Sequence, residues 1–296
     1  MTPRPWTKRW IVHPLEAAAI APLYLLMAVL PIDTASALGG WLGRNIGTRV
    51  GISRRARRNL ERAFPEKSAA EIDTLLTGMW DNLGRLIGEY PHLPNLAIYD
   101  GKRVELQGIE HVDAAREDGK PALFFSGHIG NWELISLAAT QRGLPLTRIY
   151  RAANNPLIEK LILWGRRGIE GNLVPKGREG ATAILETLRA QGHVGLLIDQ
   201  KMNEGIPVDF FGRPAMTGTA LAAFALRYRC PVIPARVERL EGCHFRITVE
   251  PPLVLPDSGD RKADIEALTI TCTQIIERWV RDQPAQWLWL HRRWRD

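Results

Sequence analysis

From about residue 102 the chain alternates short apolar runs with amphipathic stretches of helical length. That alternation restricts it to an α/β architecture, a sheet covered by helices. The runs at 103–106, 121–126, 146–150, 172–175, 194–198, 232–237 and 244–250 read as strands, and helices are expected over 131–142, 155–168, 179–191, 218–229 and 262–282. No repeat, low-complexity tract or long linker divides this part, so 101–296 is expected to form one α/β domain. Apolar residues make up 45% of the 296, an ordinary globular value that excludes a disordered chain and a polytopic membrane protein.

The stretch Ser126-Gly-His128-Ile-Gly130-Asn131-Trp-Glu133 follows the strand Ala122–Phe125 and precedes apolar residues at helical spacing. His128 is thereby expected in a strand-to-helix turn, and Glu133 in the first helical turn after an Asn131 cap. Gly130 permits a tight bend and, with Asn131, close approach of a substrate. A histidine with a carboxylate five residues on can form a general base and its orienter. Spacing alone equally admits a buried histidine that ties down a loop.

The N-terminal third differs in character. Residues 1–62 hold ten Lys and Arg against three Asp and Glu, which accounts for the whole net charge of +7; the remainder carries 29 of each sign. Ala17 to Ile32 is apolar apart from Pro22 and Pro31, short of the about 20 residues that span a bilayer. Arg4, Lys8 and Arg9 before it and Ala35-Ser36-Ala37 after it imitate a cleavable signal. Seven arginines between 44 and 62 argue against translocation and favour an uncleaved anchor, oblique or re-entrant, with the body in the cytoplasm. Residues 1–45 are thus expected to anchor the chain and 46–100 to form a basic, helical, membrane-proximal segment. Trp6, Trp10, Tyr24 and Trp41 suit headgroup depth. An anionic membrane surface fits the basic block beside an apolar segment better than nucleic acid does. Ser68-Ala-Ala-Glu71 has capping-box spacing and opens a long amphipathic helix ending near Pro91. Cys230, Cys243 and Cys272 form no C-x-x-C, consistent with a reducing compartment.

Further polar residues fall at strand-to-helix junctions. Arg151, with Asn154, can grip a phosphate or carboxylate with help from helix amides, or can be an incidental arginine on a solvated turn. Lys176 and Arg178 flank Gly177 in a basic turn that is a second anion site or simply a cap. Gly195–Asp199 is an apolar strand ending in a carboxylate, the edge where open α/β sheets place site residues. Phe210 and Phe211 are core residues or the lining of a chain-binding tunnel. The histidines show no metal-ligand spacing, and no G-x-G-x-x-G, Walker or G-x-S-x-G pattern occurs. No metal, redox or nucleotide cofactor is implied.

G-H-x-G-N-W-E resembles the acyltransferase motif of the bacterial lipid A late acyltransferases, the lauroyl and myristoyl transferases within the glycerolipid acyltransferase superfamily. So do Arg54–Leu60, Phe64-Pro65, Trp80–Arg85, Phe210-Phe211-Gly212 and the closing Trp287-Leu-Trp289-Leu-His291-Arg-Arg293-Trp294. The resemblance covers nearly the whole chain. It implies a mixed, mostly parallel sheet flanked by helices, and transfer of an acyl chain from acyl carrier protein to a hydroxyl of a lipid A precursor at the inner membrane. His128 is then the base and Glu133 its orienter, with the oxyanion met by amides of Gly127–Gly130 or by Arg151. Arg151 is carried over as an acyl- or phosphate-contact residue. The superfamily's third block falls at Asp199 or Glu204, between which the residues do not decide, and a basic face near Arg166, Arg167 and Lys176 would dock the acidic carrier. A thioester hydrolase using the same base, a lipid-binding protein without catalysis, and a different acceptor such as a lysophospholipid or ornithine lipid remain open.

Overall fold

A computed structural model describes residues 8–294, the side chains of 8 and 9 excepted. Arg4 and Trp6, and the side chains of Lys8 and Arg9, therefore lie outside the described residues. A short π-helical turn leads into α1 (His13–Val29), followed by α2 (Ile32–Ile46), α3 (Ser53–Ala63) and α4 (Ala69–Glu89). The α/β part runs β1 (Val104–Gln107), α5 (Glu110–Glu117), β2 (Ala122–Ser126), α6 (Glu133–Gln141), β3 (Leu146–Tyr150), α7 (Pro156–Gly165), β4 (Leu173–Pro175), α8 (Arg178–Arg189) and β5 (His193–Leu197). It continues with β6 (Lys201–Asp209), β7 (Pro214–Thr217), α9 (Ala220–Tyr228), β8 (Val232–Glu241), β9 (His244–Val249) and α10 (Arg261–Asp282).

Seven strands form one sheet in the order β1-β9-β8-β2-β5-β3-β4, and β6 pairs with β7 in a separate ribbon. All neighbours in the main sheet are parallel except β8 and β9, which form a hairpin. The central strand, β2, is buried at all five positions, as a parallel strand covered on both faces must be. Its alternate residues feed two cores. Leu123 and Phe125 join Val194, Phe210, Trp279 and Trp287 on one face, while Ala122 and Phe124 join Leu134, Leu137 and Phe245 on the other.

The first core also takes Ala56 and Leu60 from α3 and Ile72, Leu76 and Met79 from α4. A division of the chain at residue 100 therefore cuts through one continuous core. The Ser68–Glu71 capping box forms as its spacing implies: Ser68 Oγ accepts the Glu71 N–H and Glu71 Oε2 accepts the Ser68 N–H. Helix α2 packs so closely on α4 that a Cβ at Gly39, Gly43, Gly84 or Gly88 would meet facing backbone at 2.0–2.3 Å, the small-residue packing that lets helix backbones touch.

Residues Trp10–Val29 form one continuous helical stretch long and apolar enough to cross a membrane, with only 11% of it buried. One edge of it is docked along the body. Asn155 Nδ2 donates to His13 O and Glu16, the Tyr24 hydroxyl to Leu161 O, and His92 meets Met27 O. Leu15, Leu25 and Val29 stay exposed on the other side, and Trp41 and Trp164 are exposed as well. Tyr24 is not at the surface as the sequence led us to expect; it is 7% exposed and packs edge-on against Trp164. Within the α/β part, the short helix α5 and the strands β6 and β7 have no sequence forerunner.

Candidate active site

Parallel pairing builds the centre of the site. In the β2–β5 register Ser126 stands opposite Leu197. Two residues beyond the end of each strand, His128 and Asp199 therefore meet. Asp199 Oδ1 lies 2.7 Å from His128 Nδ1, and Asp199 Oδ2 accepts the His128 backbone N–H at 2.8 Å and the Trp287 indole N–H at 2.7 Å. Trp287 is placed by the C-terminal segment, which pairs with the turn through Ile129 and donates Leu288 N–H to His128 O.

The Asp199 side chain is fully buried. Burial by itself raises a carboxyl pKa, but the His128 charge, its two hydrogen bonds and the field of His291 outweigh that and hold Asp199 well below the usual carboxylate range. An ionised Asp199 can only accept, so the neutral His128 ring carries its proton on Nδ1 and turns the Nε2 lone pair outward. That is the tautomer a general base needs.

Around Nε2 the structure places Trp132, His291 and Gln200. The Trp132 and His291 rings each stand 5.0 Å from the His128 ring, edge to face. The Gln200 side-chain nitrogen is 3.3 Å from Nε2 of His128 and 3.3 Å from Nε2 of His291. Burial, with the charges of His128, Arg151 and Arg293, lowers the His291 pKa to about 4 against the pull of Asp199, so this ring is neutral near pH 7.

Glu133 does not orient His128. Its carboxylate faces the opposite way, accepting Arg166 Nε at 2.9 Å and Nη2 at 2.5 Å, the Tyr90 hydroxyl at 2.6 Å and the Trp132 indole at 3.2 Å. Helix α6 begins at Glu133, so the turn from His128 to the helix carries the carboxylate away from the imidazole. Burial raises the pKa of Glu133, but the Arg166 charge and hydrogen bonds, with Tyr90 and Arg148, lower it further still. The Glu133–Arg166 pair forms part of the wall of an apolar cavity lined also by Trp132, Ile135, Leu146, Ile149 and Leu196. Arg148 lines the same cavity, buried, with its Nε unpartnered and Nη2 donating to Ile169 O. Arg166, expected on an exposed carrier-docking face, is instead held inside, its side chain 15% exposed.

Other expected site residues divide between structure and surface. Gly130 has φ +59°, and a Cβ there would strike Val237 O at 2.4 Å, so its conformation serves the turn. Asn131 does not cap α6 or face a substrate; it is 1% exposed and donates to Glu89. The turn amides expected as oxyanion donors are committed at three positions: His128 N–H to Asp199, Ile129 N–H to Gly127 O and Gly130 N–H to Gln286 O. Phe210 and Phe211, expected to line a chain tunnel, are core residues at 0% and 5% exposure, packed against Trp287, Trp289, Trp294 and Phe64. Glu204 is exposed on β6, away from the paired strand ends, which leaves Asp199 as the carboxylate on the histidine. Arg151 and Asn154 are exposed after β3, while the neighbouring Asn155 caps α7. Lys176 and Arg178 are exposed too, and Lys176 N–H donates to Tyr150 O, so Lys176 shares a rim with Arg151. Gln200, His291, Trp287, Tyr90 and Arg166 are the site residues the sequence did not mark for these roles. The nearest signal was the position of Gln200 directly after the strand-ending Asp199.

A mostly parallel sheet with an imidazole and a carboxylate at adjoining strand ends, beside an apolar cavity, defines an α/β protein with a general-base site suited to an apolar substrate. The comparisons with known proteins specify which. The sequence model of the family described as bacterial lipid A biosynthesis acyltransferase matches residues 6–296. The chain belongs to that family. A lipid A biosynthesis lauroyltransferase of Escherichia coli is 27% identical over all of this chain and 97% of its own length. A lipid A biosynthesis acyltransferase of Haemophilus influenzae is 25% identical over 90% of this chain and 83% of its own. A phosphatidylinositol mannoside acyltransferase of Mycobacterium tuberculosis is 26% identical over 85% of this chain and 80% of its own.

Proposed function

We propose that this acyltransferase moves a fatty acyl group from acyl carrier protein to a hydroxyl of a lipid A precursor at the cytoplasmic face of the inner membrane. The observation that carries the reading is the His128–Asp199 pair, 2.7 Å apart, beside the apolar cavity. His128 Nε2 takes the proton of the acceptor hydroxyl as its oxygen attacks the thioester carbonyl carbon. Asp199 keeps the imidazole in the required tautomer and stabilises the imidazolium that forms, the part a triad carboxylate plays. When the tetrahedral intermediate collapses, the carbon–sulfur bond breaks and the Nε2 proton passes to the departing thiolate, leaving an ester and a free thiol.

The acyl chain lies in the cavity, where burial of each CH₂ contributes about 0.8 kcal/mol. Glu133 acts at one remove, holding Arg166 in the cavity wall. Arg151, Lys176 and Arg178, all exposed on strand-to-helix turns, supply cationic contacts for a phosphate or an acidic carrier. The docked edge of α1 runs from His13 to Met27, so the helix lies alongside the body rather than projecting from it. Such a helix enters a bilayer obliquely or at the interface, apolar side outward.

Membranes carrying the protein, supplied with labelled acyl thioesters of acyl carrier protein or of coenzyme A, test the donor and acceptor together. Label should move to an added lipid A precursor from acyl carrier protein, and His128→Ala should lower the rate roughly 10²- to 10⁴-fold. Release of free fatty acid regardless of acceptor would establish a hydrolase, and full activity of His128→Ala would remove the base. A second reading changes only the acceptor, because the mycobacterial relative, named for phosphatidylinositol mannoside, is as similar as the lipid A enzymes. The same assay with that glycolipid separates the two.

A further inference from the structure

Ester formation at this site develops a negative charge on the former carbonyl oxygen, and catalysis requires a donor 2.7–3.1 Å from it. The amides of His128, Ile129 and Gly130 are already donating to protein acceptors. Another donor stands at the base itself. Gln200 follows Asp199 directly, and its side-chain nitrogen lies 3.3 Å from His128 Nε2. Because Asp199 fixes the His128 proton on Nδ1, Nε2 is an acceptor, and the Gln200 group facing it is the donating NH₂. The second hydrogen of that NH₂ points to His291 Nε2, also at 3.3 Å. His291 is neutral, and in the tautomer with its proton on Nδ1 its Nε2 accepts as well.

We propose that the Gln200 side-chain amide is the oxyanion donor of the transfer reaction, and that His291 positions it. This inference rests on His128 being the base. In the resting enzyme one Gln200 N–H caps the Nε2 lone pair through a bond at the long, weak end of the hydrogen-bond range. An acceptor hydroxyl displaces it and donates to Nε2 instead. As the hydroxyl oxygen bonds to the thioester carbon, its proton moves to Nε2 and the carbonyl π pair moves onto the carbonyl oxygen. The released Gln200 N–H then donates to that oxyanion. Re-formation of the C=O expels the thiolate, which takes the proton from Nε2, and the N–H returns to its cap. Throughout, the second N–H stays on His291, which keeps the amide plane from turning its oxygen toward the developing charge.

Steady-state kinetics on Gln200→Met, with His128→Ala and the wild type beside it, test the proposal in the full-length membrane enzyme. The expected result is a kcat lowered roughly 10²- to 10³-fold, with KM for the donor thioester and the acceptor unchanged and the thermal melt intact. If Gln200→Met fails to fold, the near-isosteric Gln200→Glu replaces both donors with an anion and should lose at least as much kcat. His291→Phe keeps the ring but removes the acceptor; it should lower kcat, and in the Gln200→Met background it should cost nothing further. His291→Gln, which keeps a side-chain acceptor, should recover part of the loss. A wild-type kcat for Gln200→Met beside an inactive His128→Ala overturns Gln200 as the donor and leaves the base in place. A loss confined to KM also overturns it, and losses that add in the double variant overturn the role of His291. An active His128→Ala removes the base reading and this inference together.

Discussion

Replacing Asp199 with asparagine isolates the charge and tautomer control of the site from its shape. The two carboxylate oxygens are not equivalent. Oδ2 accepts two donors, the His128 backbone N–H at 2.8 Å and the Trp287 indole N–H at 2.7 Å, while Oδ1 faces only His128 Nδ1 at 2.7 Å. In Asp199→Asn the amide oxygen is drawn to the position with two donors, because an NH₂ there would meet two further N–H groups. The amide NH₂ then faces Nδ1, which must accept, and the imidazole proton moves to Nε2. His128 keeps its place and loses its lone pair toward the substrate. In a serine-protease triad the equivalent exchange lowers kcat about 10⁴-fold, some 5 kcal/mol at ~1.36 kcal/mol per decade, and the same loss is expected here. The assay is initial-rate acyl transfer at saturating donor and acceptor, with a thermal melt to show that the fold persists. A folded Asp199→Asn enzyme that keeps more than about a tenth of wild-type kcat, far above the loss a wrong tautomer imposes, would refute the dyad.

Three further outcomes follow from the same geometry. Glu133→Ala strands the Arg166 guanidinium in a site where its side chain is 15% exposed, and should destabilise the fold by about 3–5 kcal/mol; Glu133→Ala/Arg166→Met should recover much of that, and a single variant melting like wild type would show the pair to be dispensable. His291 has its pKa lowered to about 4 from 6.5, so between those pH values the unfolded chain binds a proton that the folded one does not, and stability falls as pH falls across that window; at ~1.36 kcal/mol per pH unit this amounts to about 3 kcal/mol, a loss that denaturant melts should record and that His291→Phe should abolish. Arg151 is exposed and contributes little to the fold, so Arg151→Lys should leave the melt unchanged while lowering kcat/KM roughly 10- to 150-fold if the guanidinium fork grips an anion; unchanged kinetics assign Arg151 to a solvated turn.

The strands of the main sheet were legible because each is a short apolar run or an apolar–polar alternation set off by turn or polar residues, and the structure has a strand at every one of the seven positions. The β6–β7 ribbon was not. Lys201, Asn203 and Glu204 are polar and mostly exposed, Gly205, Pro207 and Pro214 mark loops by composition, and only the pairing of Val208 with Ala215 buries both partners. Helix α5 escaped for a similar reason, with only Val112 and Ala115 buried in eight residues. The paired phenylalanines fit either core or tunnel until the tail decided. Trp287 and Trp294 close on Phe210 from more than seventy residues away, and no local pattern encodes such an approach.

The histidine was legible and its carboxylate was not, and the reason is the difference between sequence distance and register. Five residues separate His128 from Glu133, close enough to suggest a pair, yet the turn that leads into α6 lies between them and directs Glu133 toward Tyr90 and Arg166. Seventy-one residues separate His128 from Asp199, yet Ser126 and Leu197 are ladder partners, and two steps past that rung both chains leave the sheet side by side. Sequence alone marked Asp199 as a strand-ending carboxylate but not which strand it would neighbour, since β5 pairs with both β2 and β3. Had β3 taken the place beside β2, Arg151 would stand near His128 and Asp199 one strand further away. Strand order thus selects a carboxylate rather than an arginine as the partner of the imidazole, and with it the tautomer that makes His128 a base.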